Sequence, residues 1–305
     1  MSAFSSRPDV YERVTARIIA DLEQGVRPWL KPWSGEHAAG KINRPLRHNG
    51  TPYKGINVLL LWSEAVERGY SAPLWMTYKQ AQELGAQVRK GEHGALVVYA
   101  DRITKTEQDD KGQDVEREIP FMKGYTVFNV EQIDNLPAHY YAKPVNPLPL
   151  SERIEEAERF ISGAGATVQH GGNQAFYAPS RDVIQLPPFE AFRDPESYYA
   201  TALHELTHWT RHSSRLERDF GRQRFGDEGY AREELVAELG AAFLCSDLGI
   251  AADIRDDHAA YIGHWLTVLK QDKRAIFQAA SHAQRAADYL HSLQEKAAKS
   301  VPLAA

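Results

Sequence analysis

Residues 204–208 read His204-Glu205-Leu206-Thr207-His208, an instance of the H-E-x-x-H pattern. On a helix, residues four apart lie above one another on one face, so both imidazoles can reach a single metal ion. Glu205 then lies beside the open coordination position, where it can take a proton from a metal-activated water and pass it to a leaving amine. The spacing predicts metal-assisted hydrolysis, with His204 and His208 as ligands and Glu205 as the catalytic residue.

A catalytic metal site of this kind needs a third protein ligand. The extended histidine pattern requires Gly at position 211 and His at position 214, but the sequence has Arg211 and Ser214. The next predicted helix offers Glu234 and Glu238, which lie one turn apart beside an apolar face. We expect Glu234 to bind the metal and Glu238 to hold a ligand histidine by its remaining N–H. A solvated carboxylate is favoured for Glu233, although the spacing alone leaves open which of the three carboxylates is the ligand.

The donor set also restricts the metal. Two imidazoles and one carboxylate suit zinc, and the same set is acceptable to manganese. We therefore expect one divalent metal, with zinc ahead of manganese.

Composition excludes several classes of protein. The chain has 305 residues, 43% of them apolar and 25% charged, with a net charge of −5, which excludes a collagen-like or wholly disordered chain. No apolar run approaches the roughly 18 residues that a membrane helix needs, so no membrane-spanning segment is expected. The N-terminus lacks the apolar segment of an export signal, and the lone Cys245 fits a reducing compartment. We expect a cytoplasmic protein.

Apolar periodicity and turn residues predict an α+β protein. Prolines between Leu136 and Leu150 suggest a domain boundary, which gives an N-terminal domain (1–140), a linker (141–150) and a mainly helical C-terminal domain with a small sheet (151–305). The polar run 105–117 is interpreted as an exposed hairpin or a flexible loop. Helices are predicted over 9–24, 56–68, 78–84, 151–162, 195–211, 231–247, 256–269 and 273–299, and strands over 95–99, 125–130, 167–169, 175–178 and 183–186.

The segment 27–54 is basic, with Glu36 as its only acid, and aromatic and proline residues are interspersed through it. Aromatic rings can stack on nucleobases, and Lys and Arg can meet phosphates, so the segment favours binding of single-stranded DNA. The alternative is a surface loop whose tryptophans anchor it to the core. The candidate DNA-binding residues are Lys31, Trp33, Lys41, Arg44, Arg47, Tyr53 and Lys54.

Longer motifs carry a family resemblance over roughly residues 11–248. The N-terminal half resembles the single-stranded-DNA-binding domain of ArdC-type antirestriction proteins, which TraC-type plasmid primases share, and the second half resembles the zincin-like metallopeptidase domain of that family. The family pattern has Gly where this chain has Arg211. The motifs are Trp29–Trp33, Tyr53–Asn57, Pro73–Ala81 and Lys90–Glu92 in the first half, and Tyr198–Trp209, Arg215–Arg218 and Tyr230–Leu239 in the second.

The resemblance implies a plasmid-borne protein that binds incoming DNA while it is single-stranded and protects it from host restriction during conjugation. It also implies a glutamate as third ligand, and for a peptidase domain we expect a protein substrate, with a restriction component as the candidate. Two other hypotheses stay open. One is a metallopeptidase whose N-terminal domain binds protein and has no DNA role, and the other is a DNA-coating protein with a silent metal site.

Overall fold

The computed structural model describes residues 9–27, 29, 44–108, 114–141, 150–221, 227–250 and 258–300. Helices and small sheets make up this part of the chain, which confirms the predicted α+β class. The helices are α1 (Val10–Glu23), α2 (Ile56–Arg68), α3 (Tyr78–Glu83), α4 (Leu150–Gly163), α5 (Pro195–Trp209), α6 (Glu228–Leu248), α7 (His258–Gln271) and α8 (Ala275–Ser300). The strands are β1 (Leu46–Arg47), β2 (Leu74–Met76), β3 (Gln87–Val88), β4 (Ala95–Gln108), β5 (Asp114–Asn129), β6 (Ile133–Asp134), β7 (Thr167–His170), β8 (Phe176–Ala178) and β9 (Val183–Leu186).

Local sequence explains where the first helices begin and end. α1 begins in a capping box, in which Asp9 and Glu12 each accept the backbone N–H of the other. α2 ends at Gly69, whose φ of 71° lies in the left-handed region that glycine adopts without strain. The helix predicted over 56–68 is therefore confirmed at both ends. Within the described ranges, no helix has both the length and the apolar composition that crossing a membrane requires.

Three sheets accompany the helices. The first has the order β1-β2-β5-β4, with β1 and β2 parallel and the other pairs antiparallel. The second pairs β3 with β6, and the third has the order β7-β9-β8. In the third sheet β9 is the central strand, with β7 parallel to it on one side and β8 antiparallel to it on the other. β8 is therefore an edge strand.

Residues 105–108 and 114–117 of the polar run continue a β-hairpin. β4 and β5 pair in register from Ala95 opposite Val127 to Gln108 opposite Asp114, far beyond the two short strands that the sequence predicts. The hairpin interpretation is confirmed and the alternative of a flexible loop is wrong for the paired residues. Exposed strands have no buried face to produce apolar alternation, which is why the pattern underestimates their length.

One hydrophobic core continues through both halves of the chain. Trp62 of α2 packs against Phe243 of α6 with ring centroids 5.9 Å apart, and Trp29 packs against Trp265 of α7 at 6.3 Å. The predicted linker contains residues 142–149, which lie outside the described ranges, and the boundary at 141–150 stays a prediction. The shared core packs the N-terminal half against α6 and α7 of the second half.

Candidate metal centre

Helix α5 presents the two histidines of the H-E-x-x-H pattern on one buried face. It begins at Pro195 after the N-cap Asp194, and it runs without a break through Trp209. The rings of His204 and His208 have centroids 4.9 Å apart, and both side chains are buried. The predicted helical geometry of the pair is therefore what the structure shows.

Helix α6 can approach α5 closely because it has glycine at the crossing point. A Cβ atom on Gly240 would lie 2.5 Å from Cγ2 of Thr207, a distance that real Cβ atoms do not tolerate. The close contact brings Glu233, Glu234 and Glu238 of α6 within reach of the histidines.

Glu234 lies between the two histidines. Its Oε2 is 3.5 Å from Nε2 of His204, and its Oε1 is 3.4 Å from Nε2 of His208. Tetrahedral coordination with bonds of about 2.0–2.1 Å places neighbouring ligand atoms about 3.4 Å apart, and each of these two distances matches that separation. Among the described residues, these three side chains form the cluster with metal-ligand spacing, their donor atoms all lying within 4.8 Å of one another.

Glu233 supports His208 from the other side of the ring. Its Oε1 lies 3.0 Å from Nδ1 of His208, and both carboxylate oxygens accept hydrogen bonds of 2.8 Å from Arg218. Arg218 is itself buried and donates to the carbonyl of Thr207 and the hydroxyl of Thr210. The expectation of a solvated Glu233 is wrong, because this carboxylate is only 2% exposed.

Glu238 lies beside the other histidine, His204. Its Oε2 is 3.8 Å from Nδ1 of His204, too far for a hydrogen bond, so it lies on the side of the ring from which a residue would hold a ligand histidine. On its other oxygen, Glu238 accepts a 3.4 Å hydrogen bond from the indole of Trp29, and Arg27 approaches to 3.9 Å. Two residues of the N-terminal half therefore surround a carboxylate of the centre.

The ionisation of the centre reflects its excess of acids. Burial lowers the pKa of His208, but Glu234 and Glu233 outweigh burial and raise it to about 10. Burial raises the pKa of Glu233, but hydrogen bonds from Arg218 and His208 outweigh burial and lower it to about 2. The pKa of Glu234 is also lowered, since the attraction of His208 exceeds the effect of burial. The centre is thus a buried anionic site that favours a cation.

A cleft of about 510 Å³ opens onto the centre. Glu205, the predicted catalytic residue, lines it, together with Tyr230 and Arg211. The opposite wall comes from residues 173–177 and Pro179 and therefore includes most of β8. Arg211, where the family pattern has Gly, does not adopt a left-handed conformation, and its N–H and carbonyl bond to His208 and Arg218.

Two of the predicted DNA-binding residues are part of the protein interior. The guanidinium of Arg44 is buried, where it bonds to Asp247 at 2.8 and 2.9 Å and to Gln284 at 3.0 Å. The ring of Tyr53 is also buried. Neither side chain presents a surface to DNA, and the partners that hold Arg44 inward lie in the second half, which the sequence of the segment alone could not indicate.

The other predicted DNA-binding residues divide into two groups. Arg47 and Lys54 are exposed; the first lies over the ring of Tyr53 at 5.3 Å and the second pairs with Asp288 at 3.0 Å. Lys31, Trp33 and Lys41 lie outside the described residues.

The structure also reveals supporting residues that the reasoning from spacing missed. Trp29 is one of the aromatic residues of the basic segment, Glu233 is expected to be solvated, and the spacing assigns no role to Arg218. The only sequence signal for the last two is that both fall in the family motifs Arg215–Arg218 and Tyr230–Leu239.

Comparison with known proteins agrees with this architecture. Residues 8–128 match the family described as the N-terminal domain of anti-restriction factor ArdC, and residues 155–282 match a zincin-like metallopeptidase family. The uncharacterized protein y4eC of Sinorhizobium fredii is 45% identical over 95% of this chain and 94% of its own length. DNA primase TraC of Escherichia coli is 42% identical over 94% of this chain, which corresponds to only 27% of that protein.

Two similar crystal structures are of the antirestriction protein ArdC from plasmid R388. The metal-free structure is 44% identical, with a TM-score of 0.79, and the match covers 95% of this chain and 99% of that one. The Mn(II)-bound structure is 43% identical, with a TM-score of 0.76, and covers 94% and 98%. That relative and the donor set of His204, His208 and Glu234 both support a divalent metal. With an ArdC N-terminal domain, a zincin-like domain and similarity over nearly its whole length, the chain belongs to the ArdC family of antirestriction proteins.

Proposed function

We propose that the chain binds single-stranded DNA and acts as a metal-dependent peptidase that protects incoming DNA from host restriction during conjugation. The observation that carries the peptidase part is the position of Glu234, whose two carboxylate oxygens reach Nε2 of both histidines at 3.4 and 3.5 Å. This arrangement leaves room for a water in a tetrahedral site that opens onto a cleft.

His204, His208 and Glu234 would hold the metal, and the set suits zinc first and manganese second. When bound, such a metal lowers the pKa of a water toward about 7 and polarises a carbonyl group. Glu233 orients His208 through a hydrogen bond to its Nδ1, and we assign the same task to Glu238, whose carboxylate lies 3.8 Å from Nδ1 of His204.

Glu205 and Tyr230 have complementary proton-transfer tasks in the cleft. Glu205 accepts the proton of the attacking water and delivers it to the leaving amine. Burial, together with the negative charge of Glu234, raises the pKa of Tyr230, so its hydroxyl keeps its proton. In the metal-free protein that hydroxyl interacts with the hydroxyl of Tyr261, at 3.1 Å, and with Glu234; with substrate in the cleft, we assign its proton to the oxygen on which charge develops.

The edge strand β8 gives the cleft a place for an extended peptide. β8 pairs with β9 on one side only, and Phe176 and Tyr177 line the cleft. A substrate backbone can therefore add to this edge as a further strand and lie across the metal centre. This geometry favours a protein segment in extended conformation, and a restriction component is the substrate class that fits the family.

The DNA part of the proposal rests on the family of the N-terminal domain and on the basic segment. We assign phosphate contacts to Lys31, Lys41, Arg47 and Lys54 and base stacking to Trp33. The burial of Arg44 and Tyr53 removes those two residues from the proposed surface.

The test is plasmid transfer into a restricting recipient, compared with transfer into an otherwise identical recipient without restriction. Wild-type protein, Glu205→Ala and a control, Glu190→Gln, are supplied from the same plasmid; the control changes an exposed carboxylate outside the cleft. We expect wild type and the control to protect transfer and Glu205→Ala to lose protection.

The same purified proteins are assayed for metal content and for binding of a labelled oligodeoxythymidine. Unimpaired protection by Glu205→Ala would contradict a role for peptidase chemistry and favour DNA coating. Absence of oligonucleotide binding by the wild type, with metal bound, would contradict the DNA part and favour a metallopeptidase with a protein-binding N-terminal domain.

A further inference from the structure

The hairpin of β4 and β5 has one face on which aromatic, aliphatic and basic side chains alternate. In its register Tyr99 lies opposite Lys123, and Ile103 lies opposite Ile119. Residues opposite each other, and residues two apart on one strand, share a face. The aromatic face, as we call it, consists of Tyr99, Asp101, Ile103, Lys105, Ile119, Phe121, Lys123 and Tyr125.

Large apolar side chains on this face are unusually exposed. Tyr99 is 49% exposed, Tyr125 45%, Ile103 54% and Ile119 40%. These are four of the nine large apolar side chains that are exposed in the described part of the chain. A contiguous exposed group of this kind indicates a binding surface, whereas single exposed apolar residues do not.

The rings on the face are arranged as separate platforms. The centroid of Tyr99 is 6.4 Å from that of Tyr125 and 6.2 Å from that of Phe121, with interplanar angles of 78° and 57°. The rings are therefore inclined to one another and are not stacked face to face. Bases on inclined rings must turn independently of each other, which a single strand allows and a rigid duplex does not.

Charge distinguishes the two faces of the hairpin. The aromatic face carries Lys105 and Lys123, the latter 5.3 Å from the ring centroid of Phe121. Its acid, Asp101, accepts hydrogen bonds from the hydroxyl of Tyr99 and the backbone N–H of Arg102.

The opposite face is acidic. It carries Glu116 and Glu118, and its cation, Arg102, pairs with Glu118 at 2.6 Å. A polyanion is therefore attracted to the aromatic face and repelled from the opposite one.

We propose that the aromatic face of the β4–β5 hairpin is a binding site for single-stranded DNA, on which nucleobases stack on Tyr99, Phe121 and Tyr125 while Lys105 and Lys123 contact phosphates. The inference rests on the proposed function, since it names a surface for the DNA binding that is proposed there. It adds a second site to the basic segment, on a part of the chain to which the motifs assign no role.

The experiment measures the affinity of the full-length protein for fluorescein-labelled oligodeoxythymidine at several salt concentrations. The variants are Tyr99→Leu, Phe121→Leu and Tyr125→Leu, which keep apolar bulk but remove the ring, and Lys123→Gln. Thr104→Ala and Thr106→Ala on the opposite face are matched controls. Thermal unfolding and metal content verify that each variant is folded.

Each removed ring is expected to weaken binding by about 5- to 150-fold, the range that stacking of one base supplies. Lys123→Gln is expected to reduce the slope of log affinity against log salt by roughly 0.7, the value for one phosphate on a single strand. The two controls are expected to bind as the wild type does. Photo-crosslinking of a bromouracil oligonucleotide should also label peptides that contain Tyr99 or Tyr125.

Two results would overturn the inference, and they are distinguishable. If the wild type binds the oligonucleotide and all three ring variants bind equally well, the DNA lies elsewhere and the proposed function survives. A change in oligomeric state of the ring variants with unaltered DNA affinity would then identify a second copy of the chain as the occupant. If the wild type itself does not bind, both the DNA part of the proposed function and this site are wrong.

Discussion

The indole Nε1 of Trp29 donates a 3.4 Å hydrogen bond to Oε1 of Glu238, whose other oxygen lies 3.8 Å from Nδ1 of His204. A residue of the N-terminal half therefore holds a carboxylate that lies beside His204, one of the proposed metal ligands. Trp29 is completely buried, so this contact is fixed by packing as well as by the hydrogen bond.

We predict that Trp29→Phe weakens the affinity for a divalent metal by roughly 10-fold, the lower end of what the loss of a residue supporting a ligand produces. The phenylalanine keeps aromatic packing but leaves Oε1 of Glu238 without its donor. Competition with a chromogenic chelator for Zn²⁺ and Mn²⁺ measures the change.

Trp265→Phe is the matched control. Trp265 is equally buried and touches Trp29, yet its indole N–H has no hydrogen-bond partner among the described residues. This variant should lose packing but bind metal as the wild type does. Equal metal affinities for the two variants would show that the hydrogen bond is irrelevant to the centre.

The buried pair of Arg218 and Glu233 gives a prediction about stability. Arg218→Met leaves Glu233 buried without its cation, so the free energy of unfolding is expected to fall by about 3–5 kcal/mol. Urea denaturation measures the change. As a comparison, Arg232→Met removes a more exposed pair with Glu228 and should cost about 1 kcal/mol or less.

Addition of Glu233→Gln to Arg218→Met should recover part of the loss, since the buried charge is then removed as well. Metal affinity should stay reduced in this double variant, because the glutamine carries no charge to strengthen the basicity of His208. A double variant less stable than Arg218→Met alone would contradict the assignment of a buried charge pair.

The raised pKa of His208 predicts that metal binding releases a proton. Its pKa of about 10 means that the metal-free imidazole is protonated near neutral pH, whereas a metal binds only the neutral form. Metal affinity should therefore rise about tenfold per pH unit until the pH approaches about 10. Calorimetry in two buffers with different ionisation enthalpies should detect about one proton released per metal at neutral pH.

The same raised pKa of His208 predicts that the stability of the metal-free protein falls with rising pH, whereas metal affinity rises. A folded-state pKa above the ordinary value of 6.5 stabilises the fold fully below pH 6.5, and this contribution is lost as the pH rises through about 10. Metal affinity that does not change with pH near neutrality would contradict the charge state inferred for His208.

Gly240 gives a prediction about the distance between α5 and α6. Gly240→Ala places a methyl group 2.5 Å from Cγ2 of Thr207, so the helices must separate, at a cost of about 1–3 kcal/mol. Because Glu234 and the histidines lie on these two helices, metal affinity should fall together with stability. Thermal unfolding and metal titration measure both effects.

Gly263→Ala is the control for this change. Gly263 lies within α7, and an added Cβ would meet no atom within 4 Å. Alanine there should stabilise the protein by about 0.5–1 kcal/mol through the lower backbone entropy of the unfolded state. A Gly240→Ala variant that behaved like this control would show that neither stability nor metal binding needs the close approach of α5 and α6.

Local spacing predicts the parts of the centre that local geometry determines. His204 and His208 follow from a helical repeat, and Glu234 follows from a second helix with a carboxylate beside its apolar face. Their partners do not follow in this way. Arg218 is 15 residues from Glu233, and Trp29 is 209 residues from Glu238, so only the tertiary fold brings them together.

The N-terminal segment shows the same limit. A basic, aromatic composition predicts a surface for polyanions, but composition does not distinguish an exposed cation from a buried one. Arg44 faces inward because Asp247 and Gln284, both in the second half, provide its partners. Arg47, three residues on, stays exposed.

The core shared by Trp62 and Phe243, and the contact of Trp29 with Trp265, have a consequence for how such proteins diversify. A recombination event that exchanged one half alone would join two surfaces that had not adapted to each other, and it would also remove a support of the metal centre. We therefore expect the two halves to be inherited together. Changes in specificity for DNA or substrate are then expected to arise by substitution on exposed elements, such as the hairpin and the edge of β8, while the core residues shared by the two halves are retained.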